Sequence, residues 1–447
     1  MNARIVVIGG GISGIAAAWE LRGTGAEVIL LEARGNLGGR LTSHCAVGTP
    51  TLFDNGPHLF LSSYTQTRRL FREQGIDEEI HYPYPGQVPF VLEAGGLADL
   101  KEYPLPAPFH LAVGLLNFHA FPLRSRLRIL NAIQKLLKSP LATTQSARQW
   151  LEGSSCESER RMFWLPLIRA ALNAPADAVP TQHLRVIFQQ GFCKKPFGGR
   201  LGYARQPLRE IFSRRMEQIL KNAGIQIRLK TKCESLAIRE NRITEVRIKN
   251  GGLLPCDAVC LALPPGSLLD VMNNLLEGER IIREYRLRDW VGTSIFTLYL
   301  WADARPLLDA YTCLPNGKIS WVFDYGRMWG DRAAPLALML NDPLQRMHSV
   351  QPASPAEAGT PAQLIDIADE LFQAFPQLKK VRWANWKFVK APFTTPLRPP
   401  DLWGKSLSQM TYIRNLFLSG DWLDAELPPS VEAGVRTGRK TARILIQ

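Results

Sequence analysis

No stretch of the 447-residue chain approaches the ~20 uninterrupted apolar residues that cross a bilayer, which argues against a spanning helix. Cysteine is scarce and badly spaced for structure. Cys45, Cys156, Cys193, Cys233, Cys256, Cys260 and Cys313 are odd in number and form no C-x-x-C pair, so neither a disulfide framework nor a zinc site is expected, and the thiols should be buried and reduced. Acidic residues are in deficit, 40 against 54 lysines and arginines. The net charge of +14 favours anionic surfaces, but no nucleic-acid module accompanies it, so nucleic acid is not an expected partner. No basic region precedes the N-terminal apolar run, so a secretory signal is not expected and a cytoplasmic protein is. No internal repeat is evident. The 46% hydrophobic content excludes disorder, and the length suits two domains rather than one.

What is present is concentrated at the start. Ile5 to Ile8 reads as a buried strand running into Gly9-x-Gly11-x-x-Gly14. The first glycine permits the tight turn, the second lets backbone approach a pyrophosphate, and the third lets the helix pack closely on the strand. The helix would then turn its unpaired N–H groups to the phosphates. A second strand, Val28 to Leu31, ends in Glu32, eighteen positions after Gly14, where a carboxylate accepts hydrogen bonds from ribose hydroxyls and disfavours a 2′-phosphate. Strand, glycines, helix, strand and acid occur in the order a dinucleotide requires.

Gly38-Gly39-Arg40 follows, then Asp54-x-Gly56-x-His58, and near the C-terminus a strand ends in Gly420-Asp421 before the small-residue helix pattern Val431 to Gly438. This extended pattern resembles the amine oxidase and carotenoid desaturase superfamily of flavoproteins. The resemblance implies FAD as cofactor, with Gly38, Gly39 and Arg40 beside the pyrophosphate and isoalloxazine, Asp421 on the ribitol and phosphate, and the C-terminal helix pointing at the flavin. It also places Gly56, Cys233, Gly420 and Glu432 among the cofactor-binding residues. The expected fold is α/β: a Rossmann-like FAD-binding domain of the amine oxidase/phytoene desaturase type, assembled from 1–63, 200–270 and 405–447, with an α+β substrate-binding domain from 64–199 and 271–404.

Along the insertions, 64–80 suggests a helix, Tyr82 to Pro89 and Lys101 to Pro108 proline-punctuated loops, 145–190 a helical block and 206–223 another helix. Ile225 to Pro265 reads as a β-meander returning to the nucleotide sheet. Strands are expected at Ile295 to Leu300 and Ile319 to Phe323, a helix near 362–374, and a loop at 351–361. Between 123 and 138, leucines and isoleucines recur at helical spacing while Arg124, Arg126, Arg128, Lys135 and Lys138 take other positions. That pattern suits a helix lying on an anionic membrane, and equally an exposed helix of a soluble cap. A second GxGxxG unit is missing, so reducing equivalents would come from an external electron donor.

Trp164-Leu-Pro-Leu-Ile-Arg-Ala-Ala-Leu-Asn173-Ala-Pro175, the Leu201 to Leu208 segment and Asp54-Asn-Gly-Pro-His58 are similar to stretches of the squalene-associated, FAD-dependent desaturase-like proteins. The Gly198 to Tyr203 region departs from that pattern in being more basic and aromatic. Within that family the resemblance implies reductive dehydroxylation of hydroxysqualene to squalene on the bacterial route to hopanoids, with a hydrophobic isoprenoid as substrate, upstream isoprenoid synthases as partners and a peripheral place on the inner membrane. Such chemistry needs an acid to protonate the departing oxygen and aromatic faces for the cation. His58 is the candidate acid, though a structural or flavin-contact role is the competing reading. Asn173, Tyr203, Trp383 and Trp422 are candidate substrate contacts, with Trp386 and Trp403 also expected on the wall of a C30 tunnel. Carotenoid desaturation, amine oxidation and a non-enzymatic, flavin-stabilised assembly role are the alternatives. No metal site is expected.

Overall fold

The structure, a computed structural model, describes residues 3–45, 48, 51–93, 95–138, 140, 144–193, 198–249, 251–341 and 362–447. The expected loop at 351–361 lies outside them. The apolar strands Arg4–Ile8 and Glu27–Leu31 pair in parallel at the centre of a five-stranded sheet, flanked by Gln226–Arg228, Ala258–Leu261 and Leu416–Leu418. Their near-continuous burial is what a parallel sheet covered on both faces demands.

One face of this sheet carries the helices Ile12–Leu21 and Val431–Ile446. These two approach so closely that a Cβ on Gly438 would lie 2.2 Å from the Ser13 carbonyl oxygen. The small-residue spacing of the last helix therefore serves helix–helix contact as well as the cleft. The other face is covered by an antiparallel layer of Cys233–Arg239, Arg242–Ile248 and Gly252–Pro255.

A seven-stranded mixed sheet forms the second layer system, in the order Trp383–Leu397, Val291–Ala302, Leu336–Leu340, Ile319–Asp324, Tyr311–Cys313, Gln87–Val91 and Leu97–Lys101. Side-chain alternation sorts it into two faces. Tyr299, Trp301, Trp321 and Phe323 join the helices Ala147–Ser154 and Leu165–Leu172 in one core. Phe296, Leu298, Val322 and Leu338 pack with Ile367 and Leu371 of the helix Ala362–Ala374 in another.

The loop expected from Tyr82 to Pro89 is corrected at its end, from Gln87 onward, whereas the one expected from Lys101 to Pro108 holds beyond the strand residue Lys101. Residues 87–91 and 97–101 form an edge hairpin despite Pro89, because the inner neighbour Tyr311–Cys313 touches this strand at one pair, Cys313 with Phe90. A strand so lightly bonded on one side loses little by a missing N–H.

Candidate active site

A cavity of about 1200 Å³ runs between the two sheets, larger than the ~300–1,000 Å³ of ordinary ligand pockets. One end is lined by Gly9, Gly11, Glu32, Gly38, Gly39, Arg40, Cys233, Gly420, Asp421 and Glu432. The Gly38 amide donates to the Gly10 carbonyl at 2.9 Å, laying the Gly38–Arg40 loop along the glycine turn. Gly14 does not reach the wall. A Cβ there would sit 1.9 Å from the Gly9 carbonyl oxygen, so its role is to let the helix seat on the strand. A Cβ on Gly11 would meet nothing nearer than Gly39 Cα at 4.0 Å, so its outer side is open cleft. Glu32 is buried, with Oε2 accepting from the Gly10 amide and Oε1 from the Arg34 amide, both at 2.8 Å. A carboxylate has about four acceptor sites, so both oxygens keep capacity for hydroxyl donors.

Arg40 spans this end. It donates to Asp421 Oδ2 at 2.6 Å and to the Thr394 carbonyl at 2.7 Å, tying the N-terminal loop to the C-terminal segment and to the long edge strand. Gly420 must lack a side chain because a Cβ would lie 2.5 Å from the Trp422 indole nitrogen, which itself donates to the Leu263 carbonyl at 3.0 Å. Asn55, Pro57 and His58 line the middle of the cavity. Their loop is anchored by Asp54, whose Oδ1 accepts from the Ser43 hydroxyl at 2.6 Å and the Leu208 amide at 3.1 Å, while the Tyr299 hydroxyl donates to its carbonyl at 2.6 Å. Burial pushes the Asp54 carboxyl up to about 7, against the Ser43, Leu208 and Tyr325 hydrogen bonds.

The far end lies between one face of the seven-stranded sheet and the helices. Val88, Phe90, Leu100 and Trp321 line it from the sheet, and Phe163, Leu167 and Ala170 with Val186 and Ile187 line it from the helices. Gln87, Glu102, Gln190 and Arg200 are the polar exceptions.

The sequence of residues 12–446 matches the flavin containing amine oxidoreductase family. The chain belongs to that family. A hydroxysqualene dehydroxylase of Sinorhizobium fredii is 26% identical over all of this chain and 99% of its own length. The chloroplastic/chromoplastic 15-cis-phytoene desaturase of an Oncidium hybrid is 22% identical over 99% of this chain and 78% of its own. The crystal structure of an oxidoreductase from Methanosarcina mazei has the same fold, with a TM-score of 0.73 at 16% identity, covering 99% of this chain and 100% of that one.

This flavoprotein is an FAD-dependent oxidoreductase, and its own residues fit the cofactor. Glu32 has free acceptor capacity for ribose hydroxyls. The helix Ile12–Leu21 begins at Gly11 with no side-chain cap, leaving its N–H groups for a diphosphate. Arg40 and Asp421 would hold the diphosphate and ribitol region, and Cys233, a thiol pushed up to about 12 by burial and so uncharged, closes the wall near Glu32 and Arg34.

Several expected site residues are placed differently. Glu432 lines the cavity, but both its oxygens are engaged by the first turn of the helix Thr65–Glu73: Oε1 by the Gln66 amide at 2.9 Å, Oε2 by the Thr67 amide and hydroxyl at 2.8 and 2.7 Å. It caps that helix across the fold. Gly56 stands behind the wall and acts through its carbonyl, which His58 Nδ1 contacts at 2.7 Å. With Nδ1–H donated there, Nε2 is an acceptor. Burial holds the imidazole below the ordinary histidine value, opposed by the Gly56 carbonyl and reinforced by Arg40. A neutral ring with its proton committed to backbone does not supply the acid expected of it.

Asn173 ends its helix in the left-handed conformation, φ 46°, and its amide donates to the hydroxyls of Thr293, Thr394 and Thr395 at 3.0, 2.8 and 3.2 Å. It buttresses Thr394 and Thr395, which do reach the cavity, rather than lining it. Tyr203 sits behind Leu201 with its ring against His81 and Tyr311. Trp383 and Trp386 belong to the opposite core, and Trp403 donates to the Arg398 carbonyl away from the cavity. Of the four tryptophans only Trp422 touches the wall, at the dinucleotide end. The tryptophan that faces the apolar end, Trp321, and the Glu102–Arg200 pair carried no signal in the sequence, because the strands that present them are joined only by the sheet.

Proposed function

We propose that the protein reduces a hydroxylated C30 isoprenoid, hydroxysqualene, to squalene. What supports this reading is the similarity to hydroxysqualene dehydroxylases over the full length of both chains, combined with an apolar cavity end continuous with the dinucleotide cleft. Bound FAD in its reduced form would supply the hydride, its second hydrogen leaving as a proton as the flavin is oxidised. The carbon–oxygen bond of the allylic alcohol breaks, the oxygen leaves as water with a proton balanced by that release, and a carbon–hydrogen bond forms. The chain contributes exclusion of water by Val88, Leu100, Leu167 and Ile187, and the faces of Phe90, Phe163 and Trp321 for positive charge at the allylic centre. Anaerobic enzyme carrying chemically reduced FAD should convert hydroxysqualene to squalene with stoichiometric flavin oxidation. If it leaves that alcohol untouched while oxidised enzyme desaturates phytoene, the second reading, carotenoid desaturation, replaces it. That reading draws on the similarity to 15-cis-phytoene desaturase.

An external reductant completes the cycle, upstream isoprenoid synthases supply the substrate, and the place of work is the cytoplasmic side of an anionic membrane. The helix Leu123–Lys138 changes the form of that last proposal. Its Ile129, Ala132 and Leu136 are buried in the core, Arg128 pairs with the buried Glu159 at 2.7 Å, and Arg126 donates to the Phe121 carbonyl at 2.6 Å. The apolar face is therefore unavailable to lipid. Exposed Leu123, Leu127, Phe109 and Leu105, with the exposed Arg124, Lys135 and Lys138, remain for a bilayer. Replacing Phe109 and Leu127 by serine and Arg124 by glutamate should abolish flotation with anionic vesicles at low salt, each basic residue contributing about 1 kcal/mol. Unchanged flotation removes this surface from the proposal.

A further inference from the structure

One neutral polar side chain on the cavity wall is left unused by the fold. The helix Thr181–Val186 runs on into the π-helical turns Ile187–Cys193, a geometry that recurs at functional sites. Val186, Ile187, Gln190 and Gly191 fall on one side of this stretch, and all line the cavity, whereas Gln189 does not. Gln190 therefore stands within the lining stripe. It is half-buried, and its carboxamide neither pairs within the described residues nor belongs to the side-chain atoms sealed from open space there.

Its neighbours fix where along the cavity it lies. Val186 packs with Leu427 and Ala433, beside the start of the helix Val431–Ile446 at the dinucleotide end. Ile187 belongs instead to the core of Phe163 and Trp321, at the apolar end. Gln190 sits one turn along from both, where the two ends meet. The other polar residues of the apolar end are turned elsewhere. Glu102 and Arg200 pair with each other at 2.7 Å, and Gln87 precedes Val88 and Phe90 on a strand whose alternation points it away from their face. Once an apolar ligand fills the cavity, an unpaired amide on this wall is a cost that leucine or methionine would avoid. A carboxamide is uncharged and both donates and accepts, so it suits a ligand group that does the same. On an otherwise apolar molecule that group is a hydroxyl.

We propose that Gln190 recognises the hydroxyl of the isoprenoid, its carboxamide sharing a hydrogen bond with the alcohol oxygen. This specificity role rests on the reading of the substrate as a hydroxylated isoprenoid. It holds the hydroxyl at the junction of the two ends and separates an alcohol from the hydrocarbon of the same length, which the apolar wall alone does not do.

The test is a binding titration of oxidised, FAD-loaded enzyme with hydroxysqualene and with squalene in detergent micelles, read by the flavin absorption spectrum. The affinity ratio of alcohol to hydrocarbon is compared between proteins, so that the difference in micelle partition cancels. Gln190→Met and Gln190→Leu fill similar space without an amide and should lower that ratio about three- to tenfold, the worth of one neutral hydrogen bond. Gln189→Met, one position along and off the wall, should leave it within about twofold of wild type. An unchanged ratio in the Gln190 variants, or an equal fall in the Gln189 variant, overturns the role. So does a folded Gln190 variant that has lost FAD, since the amide then serves the cofactor. If one Gln190 variant does not fold, the other decides, and failure of both makes the residue structural and overturns the role as well. A ratio that falls as expected, without squalene formation from hydroxysqualene by reduced wild-type enzyme, leaves the hydroxyl site standing and overturns the proposed reaction instead.

Discussion

The two ends of the cavity are built by different means. At the dinucleotide end the fit is made by backbone: Gly9, Gly11, Gly14, Gly38 and Gly39 bring main chain against main chain, and Glu32 fastens the turn through two amides. At the apolar end the fit is made by side chains of moderate size, presented by a sheet edge and several helical segments from distant parts of the chain. Backbone contacts have no slack, because a carbonyl cannot rotate out of the way. Side-chain walls can be enlarged or filled one methylene at a time. A family can therefore keep one cofactor site and vary what lies opposite.

The strongest challenge to this contrast is a small side-chain addition at each end, one carbon at Gly14 and two at Ala170. Gly14→Ala places a Cβ 1.9 Å from the Gly9 carbonyl oxygen, so the helix must lift from the strand. The cost should be about 3 kcal/mol or more, with flavin occupancy after purification falling at least about tenfold. Ala170→Val adds its methyl groups toward open cavity. Its unfolding free energy should change by less than about 1 kcal/mol and its flavin content should be normal. Flavin retained in the glycine variant and lost in the alanine variant would reverse the assignment of rigid and adjustable ends.

A second experiment concerns the hinge between the ends, where Asp54 anchors the Asn55–His58 loop. Its carboxyl, with an ordinary value of 3.8, titrates at about 7 in the folded protein because burial disfavours the charge. The unfolded chain thus releases this proton at lower pH than the folded one. Stability contributed by the protonated group is complete below pH 4 and is lost as pH rises toward 7, with Tyr299 and Tyr325, both held protonated by burial, packed around it. Asp54→Asn retains an acceptor for Ser43 and Leu208 and removes the titration. Between pH 5 and 8 the wild type should lose about 2 kcal/mol more unfolding free energy than the variant in urea titrations. Parallel pH profiles would mean that the carboxyl is already ionised in the fold.

How much of this was legible in the sequence follows the same division. The dinucleotide end is encoded by local spacing, so the glycines, Glu32, Arg40 and Asp421 could be named from residue order, and Asp54 was visible as part of the Asp54-x-Gly56-x-His58 pattern. Glu432 also stood out, but no local rule reveals that its two oxygens cap a helix 365 residues earlier in the chain. The apolar end depends on sheet order. Gln87 to Pro89 reads as the end of a proline-punctuated loop, and only the pairing of Gln87–Val91 with Leu97–Lys101 makes Val88, Phe90, Leu100 and Glu102 one surface. The basic helix at 123–138 was legible as amphipathic, whereas the partner of its apolar face was not.

The tryptophans give the smallest effect and a direct reading of which sheet face matters. Trp383 was expected on the tunnel wall, yet it lies on the face packed with Phe296, Leu298 and Leu371, while Trp321 lies on the face lining the cavity. Alternation along a strand makes these faces exclusive, so an aromatic residue in this sheet serves either the cavity or the opposite core. Trp383→Ala should reduce stability, by about 1–2 kcal/mol for a partly buried ring, and leave the affinity for the isoprenoid within about twofold of wild type. Trp321→Ala should enlarge the cavity and weaken that affinity several-fold at normal flavin content. A change in isoprenoid binding on losing Trp383 as large as that on losing Trp321 would mean that the two faces are coupled through the strands. The apolar end would then share the rigidity of the dinucleotide end, and the freedom to vary substrate at constant cofactor would have to come from the helical wall alone.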